Sequence, residues 1–337
     1  MKETAWKSPS NIALIKYWGK HDVQIPANPS VSFTLSSSAT STKLKYRKGK
    51  GAVTVFLNGE ETPAFIPKIQ SFLERTRSLF PFSQQMDFEV HTSNSFPHSS
   101  GIASSASGMS ALALCMMSIK EELGLNIDDF FREASNAARL GSGSGSRSVY
   151  GPLAAWGKHA EIEGSHDEFA VPFADVADIF KTFQDTILLI DKGEKTVSSS
   201  LGHGLMNNHP YASSRFAQAH ENQSRLLTAM LDADLGSFGE IVESEALTLH
   251  GMMMTSMPYF ILMKPNTLEV IQRIWSFREA TNHPVYFTLD AGANVHVLYP
   301  ESHKELIMRF IDTELRTFCK DSSYLCDKVG LGPTPLF

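Results

Sequence analysis

The stretch Asn11–Trp18, NIALIKYW, is apolar and β-prone and predicts a strand that ends at Gly19. Residues 40–60, TSTKLKYRKGKGAVTVFLNGE, alternate between polar and apolar and turn at Gly49 and Gly51, which predicts a hairpin. Residues 67–79 have helical spacing, and MDFEVHTSNSFP then alternates until Pro97 halts it. A long helix is expected from Ser104, where SSASGMSALALCMMSIKEELG opens on serines that cap free N–H groups and stops at Gly124. Another, over about 128–140, carries Phe130, Phe131, Ala134, Ala137 and Ala138 on one face.

Past residue 151 the pattern breaks into short strands. QDTILLIDKGEKTVSSSLG then predicts a strand, a turn and a helix start. Residues 212–254 read as helical throughout, with a further helix near 260–278. HPVYFTLDAGANVHVLYP folds back on itself through Asp290–Asn294, and a final helix covers about 302–319. Strands and helices are mixed without strict alternation, so the expected class is α+β. A chain of 337 residues most naturally makes two domains, and a composition shift at 183–186 divides it into 1–184 and 185–337. No internal repeat occurs.

Composition acts mainly by exclusion. The net charge of −6, with acidic residues dispersed, argues against the basic stripe that nucleic acid requires. The first twenty residues hold no continuous apolar run, so no signal peptide is expected, and no run of eighteen apolar residues predicts a membrane span. Cys115, Cys319 and Cys326 are odd in number and fit neither a disulfide framework nor a zinc site, which suits the cytoplasm.

Residues 141–151, GSGSGSRSVYG, have the composition of a flexible linker. Yet an apolar-faced helix runs into them, VYGPLAAW follows, and Arg147 stands among Ser142, Ser144, Ser146 and Ser148. Arginine grips a carboxylate or phosphate with two parallel hydrogen bonds and glycine admits a close backbone, so the segment reads as an anion-binding loop. No G-x-S-x-G nucleophile elbow is present, and no hydrolase is implied. SFPHSSGIASSASGMSALA ends a strand, turns, and opens a helix with several N–H and hydroxyl donors, as an anion site or simply as a capped helix. It is not a Walker A motif, since no G-x-x-x-x-G-K-[ST] occurs.

Three further segments carry charge. LIKYWGKHD places Lys16 and Lys20 at a strand end, and DKGEKTVSSS sets Lys192 and Lys195 before Ser198–Ser200. Asp290 lies opposite Val285, Phe287 and Leu289 on its strand, although an aspartate in a turn also serves to bond its own backbone. Two or three anion sites, an isolated carboxylate and no metal-ligand motif suit a kinase-like enzyme acting on a phosphorylated or carboxylated small molecule.

Taken in order, SNIALIKYWGK, GIASSASGMSALAL, ARLGSGSGSRSVYG, KTVSSSLG and YFTLDAGANVHVLY resemble the mevalonate diphosphate decarboxylase family of the GHMP kinase superfamily, from about residue 10 to about residue 300. The resemblance implies a two-domain α+β GHMP kinase fold: an N-terminal domain like ribosomal protein S5 domain 2, a ferredoxin-like C-terminal domain, and an active site in the cleft between them. It implies ATP-dependent decarboxylation of mevalonate 5-diphosphate to isopentenyl diphosphate, ADP, phosphate and carbon dioxide. ATP with Mg²⁺ and a homodimer come with it; a nucleic-acid or membrane partner does not.

The resemblance also assigns residues. Pro97, Ser100, Gly101, Ala103, Ser104, Ser105 and Ser107 match the ATP phosphate loop. Arg147 matches the group that holds the substrate carboxylate, with Ser142 and Ser144 beside it, and Tyr17, Lys20 and Ser199 match contacts to the diphosphate end. Asp290, next to the C3 hydroxyl, is catalytic together with Arg147 and Lys20. The Mg²⁺ ligands are not identified.

This chain departs from the family pattern in three places. His98-Ser99-Ser100 replace a usual Thr-Ala-Ala, and Ala293 replaces the proline of an Asp-Ala-Gly-Pro-Asn turn. Ser200 stands where many bacterial relatives, though not the eukaryotic branch, have arginine, and His203 replaces a usual methionine. A decarboxylase of 5-phosphomevalonate or a mevalonate 3-kinase is the alternative within the superfamily, and a non-catalytic sensor is the alternative outside it. Retention of both Asp290 and Arg147 disfavours the kinase and the sensor.

Overall fold

The computed structural model describes residues 1–96, 102–192 and 199–337. The chain opens with the long strand β1 (Lys2–Ala13), makes a small ribbon from β2 (Lys20–His21) and β3 (Ile25–Pro26), and returns along the 19-residue β4 (Ser30–Lys48). β5 (Val53–Leu57), β6 (Glu60–Glu61), α1 (Ile66–Arg75) and β7 (Met86–Asn94) follow. Next come α2 (Ser104–Glu122), α3 (Phe130–Gly141), β8 (Leu153–Trp156), β9 (Ala170–Pro172) and the single turn α4 (Asp178–Lys181).

The second half holds β10 (Gln184–Leu188), α5 (Ser199–Gly204), α6 (Ala212–Leu231), α7 (Leu235–Thr255) and α8 (Pro265–Thr281). It closes with β11 (Tyr286–Leu289), β12 (Val295–Tyr299), α9 (Lys304–Phe310), β13 (Tyr324–Lys328) and β14 (Thr334–Pro335). An eight-stranded sheet has the path β14-β1-β4-β7-β5-β6, with β8 and β9 attached through β4; a four-stranded sheet has the order β11-β12-β10-β13. Among the described residues no helix is long and apolar enough to cross a membrane.

Several expectations are corrected. The strand read over 11–18 is β1, which starts at Lys2 and ends at Ala13. Residues 40–60 do not form a hairpin: β7 lies between β4 and β5, and β5 runs parallel to it. The Asp87 carboxylate at the start of β7 accepts the N–H groups of Lys50 and Ala52 and holds the intervening turn over the end of that strand. Residues 212–254 are two helices. Ala233 takes a left-handed conformation (φ 56°), and Asp234 caps α7 by accepting the Ser237 N–H at 3.1 Å. The helix read over 260–278 begins at Pro265, that over 302–319 is regular only through Phe310, and β13 was not foreseen.

β4 shows how the core and the site share one strand. Its period of two sends Val31, Phe33 and Leu35 into an apolar cluster with Leu226, Phe238 and Ile241 of α6 and α7, while Ser30 and Ser32 face the other way. A second cluster joins the sheet, through Phe88 and Val90, to α1, α2 and α3. A third lies between the four-stranded sheet, α8 and α9. Asp327 of β13 accepts the N–H groups of Ser36, Ser37 and Ser38, tying the smaller sheet to the bend in β4.

Candidate active site

The Gly/Ser segment is a packed loop. It forms 3₁₀ turns over Gly143–Val149 directly after α3. A Cβ on Gly143 would stand 2.9 Å from both Trp156 and the Tyr17 hydroxyl, and one on Gly145 would meet the Ala106 carbonyl at 3.2 Å. The serines bond inward: Ser146 donates to the Gly143 carbonyl, and Ser148 accepts from the Asn11 amide. A flexible linker has neither constraint.

This loop holds Arg147 almost wholly out of water. Its guanidinium donates through Nε to Ser32 Oγ at 3.1 Å, and through its two terminal nitrogens to Ser30 Oγ at 2.5 Å and Asn11 Oδ1 at 3.2 Å. All three acceptors are neutral, and a guanidinium has five N–H groups, so charge and donors remain for a ligand. Burial lowers its pKa to about 10, an effect opposed by Asp290 and Tyr17, so the group stays cationic at neutral pH.

Asp290 enters from the other sheet, at the end of β11. Lys16 Nζ lies 3.3 Å from its Oδ1, while the Asp290 carbonyl accepts from His250 Nε2 at 3.1 Å. Burial pushes the Lys16 pKa down, with Asp290 and Glu245 opposing the shift. The Lys16 backbone is gripped on both sides. Its N–H donates to Glu245 Oε2 at 2.8 Å, and its carbonyl accepts from Arg215 at 3.1 Å and from Asn28 at 3.0 Å. Arg215 of α6 and Glu245 of α7 form a bidentate pair, and Asn222 donates to the same carboxylate.

Arg147, Asp290, Lys16, Tyr17, Lys20, Ser142 and Ser144 line one cavity of about 320 Å³, together with Ala103, Ser105, Asn11, Lys68 and His203. The buried Tyr17 hydroxyl has no hydrogen-bond partner among the described residues, and burial raises its pKa. Lys20 sits in the ribbon of β2 and β3 and donates to Gln24 Oε1 at 2.9 Å; burial and Arg75 lower its pKa. A second cavity of about 210 Å³ lies beside α2, lined by Ser104, Ser105, Asn94, Thr92 and Met109, and Lys68 borders both.

One expected residue stands apart. Ser107 is buried with its hydroxyl against Thr40 Oγ1 at 2.7 Å, because its place on α2 turns it toward β4. Ser199 is the first residue of α5, the helix that brings His203 to the cavity. Pro97, Ser100 and Gly101 lie outside the described residues. Asn11 carries no mark in the sequence; Lys16 reads there only as a charge at a strand end, and His203 only as a departure from the family pattern. The place of Lys16 within the apolar run IALIKYW is the stronger signal, since a buried charge needs a partner.

The arrangement offers a desolvated cation for a carboxylate, a carboxylate beside a lysine, and donors at the head of α2 for phosphate oxygens. Comparison with known proteins agrees. Residues 8–170 match the diphosphomevalonate decarboxylase-like N-terminal domain, and residues 186–329 match the mevalonate 5-diphosphate decarboxylase C-terminal domain. Diphosphomevalonate decarboxylase from Candida albicans is 27% identical over 90% of this chain and 86% of its own length. A phosphomevalonate decarboxylase from Haloferax volcanii is 26% identical over 91% of each. A structure of MDDEF in complex with MVAPP, AMPPCP and magnesium superposes with a TM-score of 0.86 at 29% identity, covering 99% of this chain and 98% of that one. The chain therefore belongs to the mevalonate diphosphate decarboxylase family, within the GHMP superfamily.

Proposed function

We propose that this protein decarboxylates mevalonate 5-diphosphate at the expense of ATP, giving isopentenyl diphosphate, ADP, phosphate and carbon dioxide. The observation that carries the reading is the meeting, in one cavity, of a buried guanidinium bonded, among the described residues, only to neutral oxygens and a carboxylate paired with a buried lysine.

The substrate carboxylate sits on Arg147, with Ser142 and Ser144 beside it. Its C3 hydroxyl faces Asp290, which accepts the hydroxyl proton as the oxygen attacks the γ-phosphoryl group of ATP. Lys16 pairs with that carboxylate and holds it in place. The C3–O bond then breaks, phosphate departs, and the C–CO₂ bond supplies the electron pair of the new double bond. Arg147 keeps the carboxylate aligned until carbon dioxide leaves. Ala103, Ser104 and Ser105 at the head of α2 receive the nucleotide phosphates, as do Pro97, Ser100 and Gly101 in the family pattern. Mg²⁺ enters as part of the nucleotide substrate. Tyr17, Lys20 and Ser199 take the diphosphate end.

The same reading includes a homodimer, checked by sedimentation equilibrium, and a cytoplasmic location. It divides the chain into 1–184 and 185–337, a division supported by the first strand of the four-stranded sheet beginning at Gln184.

The test supplies purified protein with Mg-ATP and, separately, mevalonate, 5-phosphomevalonate and mevalonate 5-diphosphate, following ADP, phosphate and carbon dioxide together. Equal release of all three with the diphosphate is the expected result. ADP without carbon dioxide would make the enzyme a 3-kinase, a preference for the monophosphate would change the substrate, and no turnover with any of them would remove the reading.

A further inference from the structure

Several residues of the cavity wall, His203 among them, have no role in the chemistry above. His203 comes from α5, which packs so tightly on Trp18 that a Cβ on Gly202 would stand 2.5 Å from the indole. Its ring lies against Tyr17 and Trp18, with centroids 4.2 and 4.8 Å away. These contacts fix the ring plane. Nδ1 accepts the Gly19 N–H at 3.0 Å. A backbone N–H only donates, so the ring proton belongs on Nε2. Among the described residues Nε2 has no acceptor, and it is absent from the buried polar atoms that lack a partner, so it opens toward solvent in the cavity. Burial, with Lys20 nearby, holds the imidazole pKa down to about 3, so Nε2–H is a neutral donor throughout the physiological range.

With Arg147 assigned to the carboxylate and Asp290 to the C3 hydroxyl, Lys20, Tyr17 and His203 stand together on the wall. They present an ammonium, an unpartnered buried phenol and an imidazole N–H. A set of donors of this kind matches phosphoryl oxygens, which only accept.

We propose that His203 is a substrate-binding residue whose Nε2–H donates to a phosphoryl oxygen at the diphosphate end of the substrate, alongside Lys20 and Tyr17. The inference rests on the function proposed above and adds a contact to it. His203 is rigidly aimed by its Nδ1 bond and its two aromatic neighbours, so the donor is in place before the substrate arrives and little ordering is required on binding.

The experiment measures binding of mevalonate 5-diphosphate, without ATP, to the wild-type protein and to His203→Met, His203→Phe and His203→Gln. Methionine and phenylalanine offer no N–H; phenylalanine keeps the ring stacking, and glutamine restores a donor. The expected result is a Kd about 10-fold weaker in the first two, partial recovery in His203→Gln, and unchanged Kd for ATP in all, as the loss of one hydrogen bond to a charged group implies. In protein labelled with ¹⁵N-histidine, the His203 Nε2–H signal, identified by its loss in His203→Phe, moves downfield on adding the diphosphate. This second readout needs no variant to bind ligand. Wild-type protein that fails to bind the diphosphate overturns the functional reading itself. Wild-type protein that binds it, with equal Kd in all variants and an unmoved Nε2–H signal, overturns the role of His203 and leaves that reading intact.

Discussion

Two ion pairs meet at Lys16, and they are built for opposite purposes. Arg215 and Glu245 are fully enclosed, with side chains 0% exposed, two short contacts between them and a further donor from Asn222. Lys16 and Asp290 share one longer contact of 3.3 Å, with the lysine 2% and the aspartate 25% exposed. The first pair is a closed clamp whose acceptor capacity is used by the protein. The second has one buried partner and one that faces the cavity, so the carboxylate is oriented by the fold and still reachable by a ligand. The clamp holds the Lys16 backbone and the lysine side chain aims Asp290, so the closed pair supports the open one.

Breaking each pair separately sharpens this contrast. The largest effect belongs to Asp290→Asn, which should cut turnover roughly 10²–10⁴-fold with ATP binding and thermal stability largely kept. Near-normal turnover would take Asp290 out of the mechanism. Glu245→Gln should act on folding, because it leaves the Arg215 charge buried without its carboxylate; a loss of about 3–5 kcal/mol is expected from denaturant unfolding. If Asp290→Asn lost as much stability as Glu245→Gln, the distinction between clamp and reactive pair would fail.

Lys16→Met is the intermediate case. Removing the group that holds the Asp290 carboxylate should lower kcat, with ATP binding largely kept. An unchanged kcat with a lower melting temperature would make Lys16 purely structural.

The smallest effect concerns the histidines beside the site. Burial holds His203 at about 3 and His250 at about 4, against 6.5 for a free imidazole. Below pH 6.5 the unfolded chain therefore binds protons that the folded chain does not, and stability falls as pH falls from 6.5 toward 4. His203→Phe removes one such group, so its unfolding free energy should have the shallower slope in that window, by at most about 1.4 kcal/mol per pH unit. Parallel slopes for the two proteins would show that His203 does not stay neutral in the fold.

Much of the site was legible because local chemistry marked it. Alternating glycines around one arginine signalled a close-packed anion loop, and the steric demand at Gly143 and Gly145 is the physical content of that signal. A serine-rich helix start and an aspartate ending an apolar strand were visible for the same reason. The Arg215–Glu245 pair was not legible. Its members lie 30 positions apart on what reads as one continuous helix, and only the left-handed turn at Ala233 folds them together. The strand β7 was legible, but its place between β4 and β5 was not, because a parallel neighbour arrives from 30 or more residues away and leaves no local mark.

Sequence by itself determined which groups are present and how their near neighbours are arranged. Alternation put Ser30 and Ser32 on the face opposite Val31 and Phe33, and helical period gave α3 its buried face. Tertiary structure alone decided the partners. Arg147 found neutral oxygens from β1 and β4, Lys16 met Asp290 across 274 positions, and His203 came to rest with one nitrogen on Gly19 and the other without an acceptor among the described residues. The physical reason is range: backbone sterics and hydrogen-bond period act over a few residues, whereas the charge state and free valence of a buried group depend on whatever the fold brings within a few ångströms.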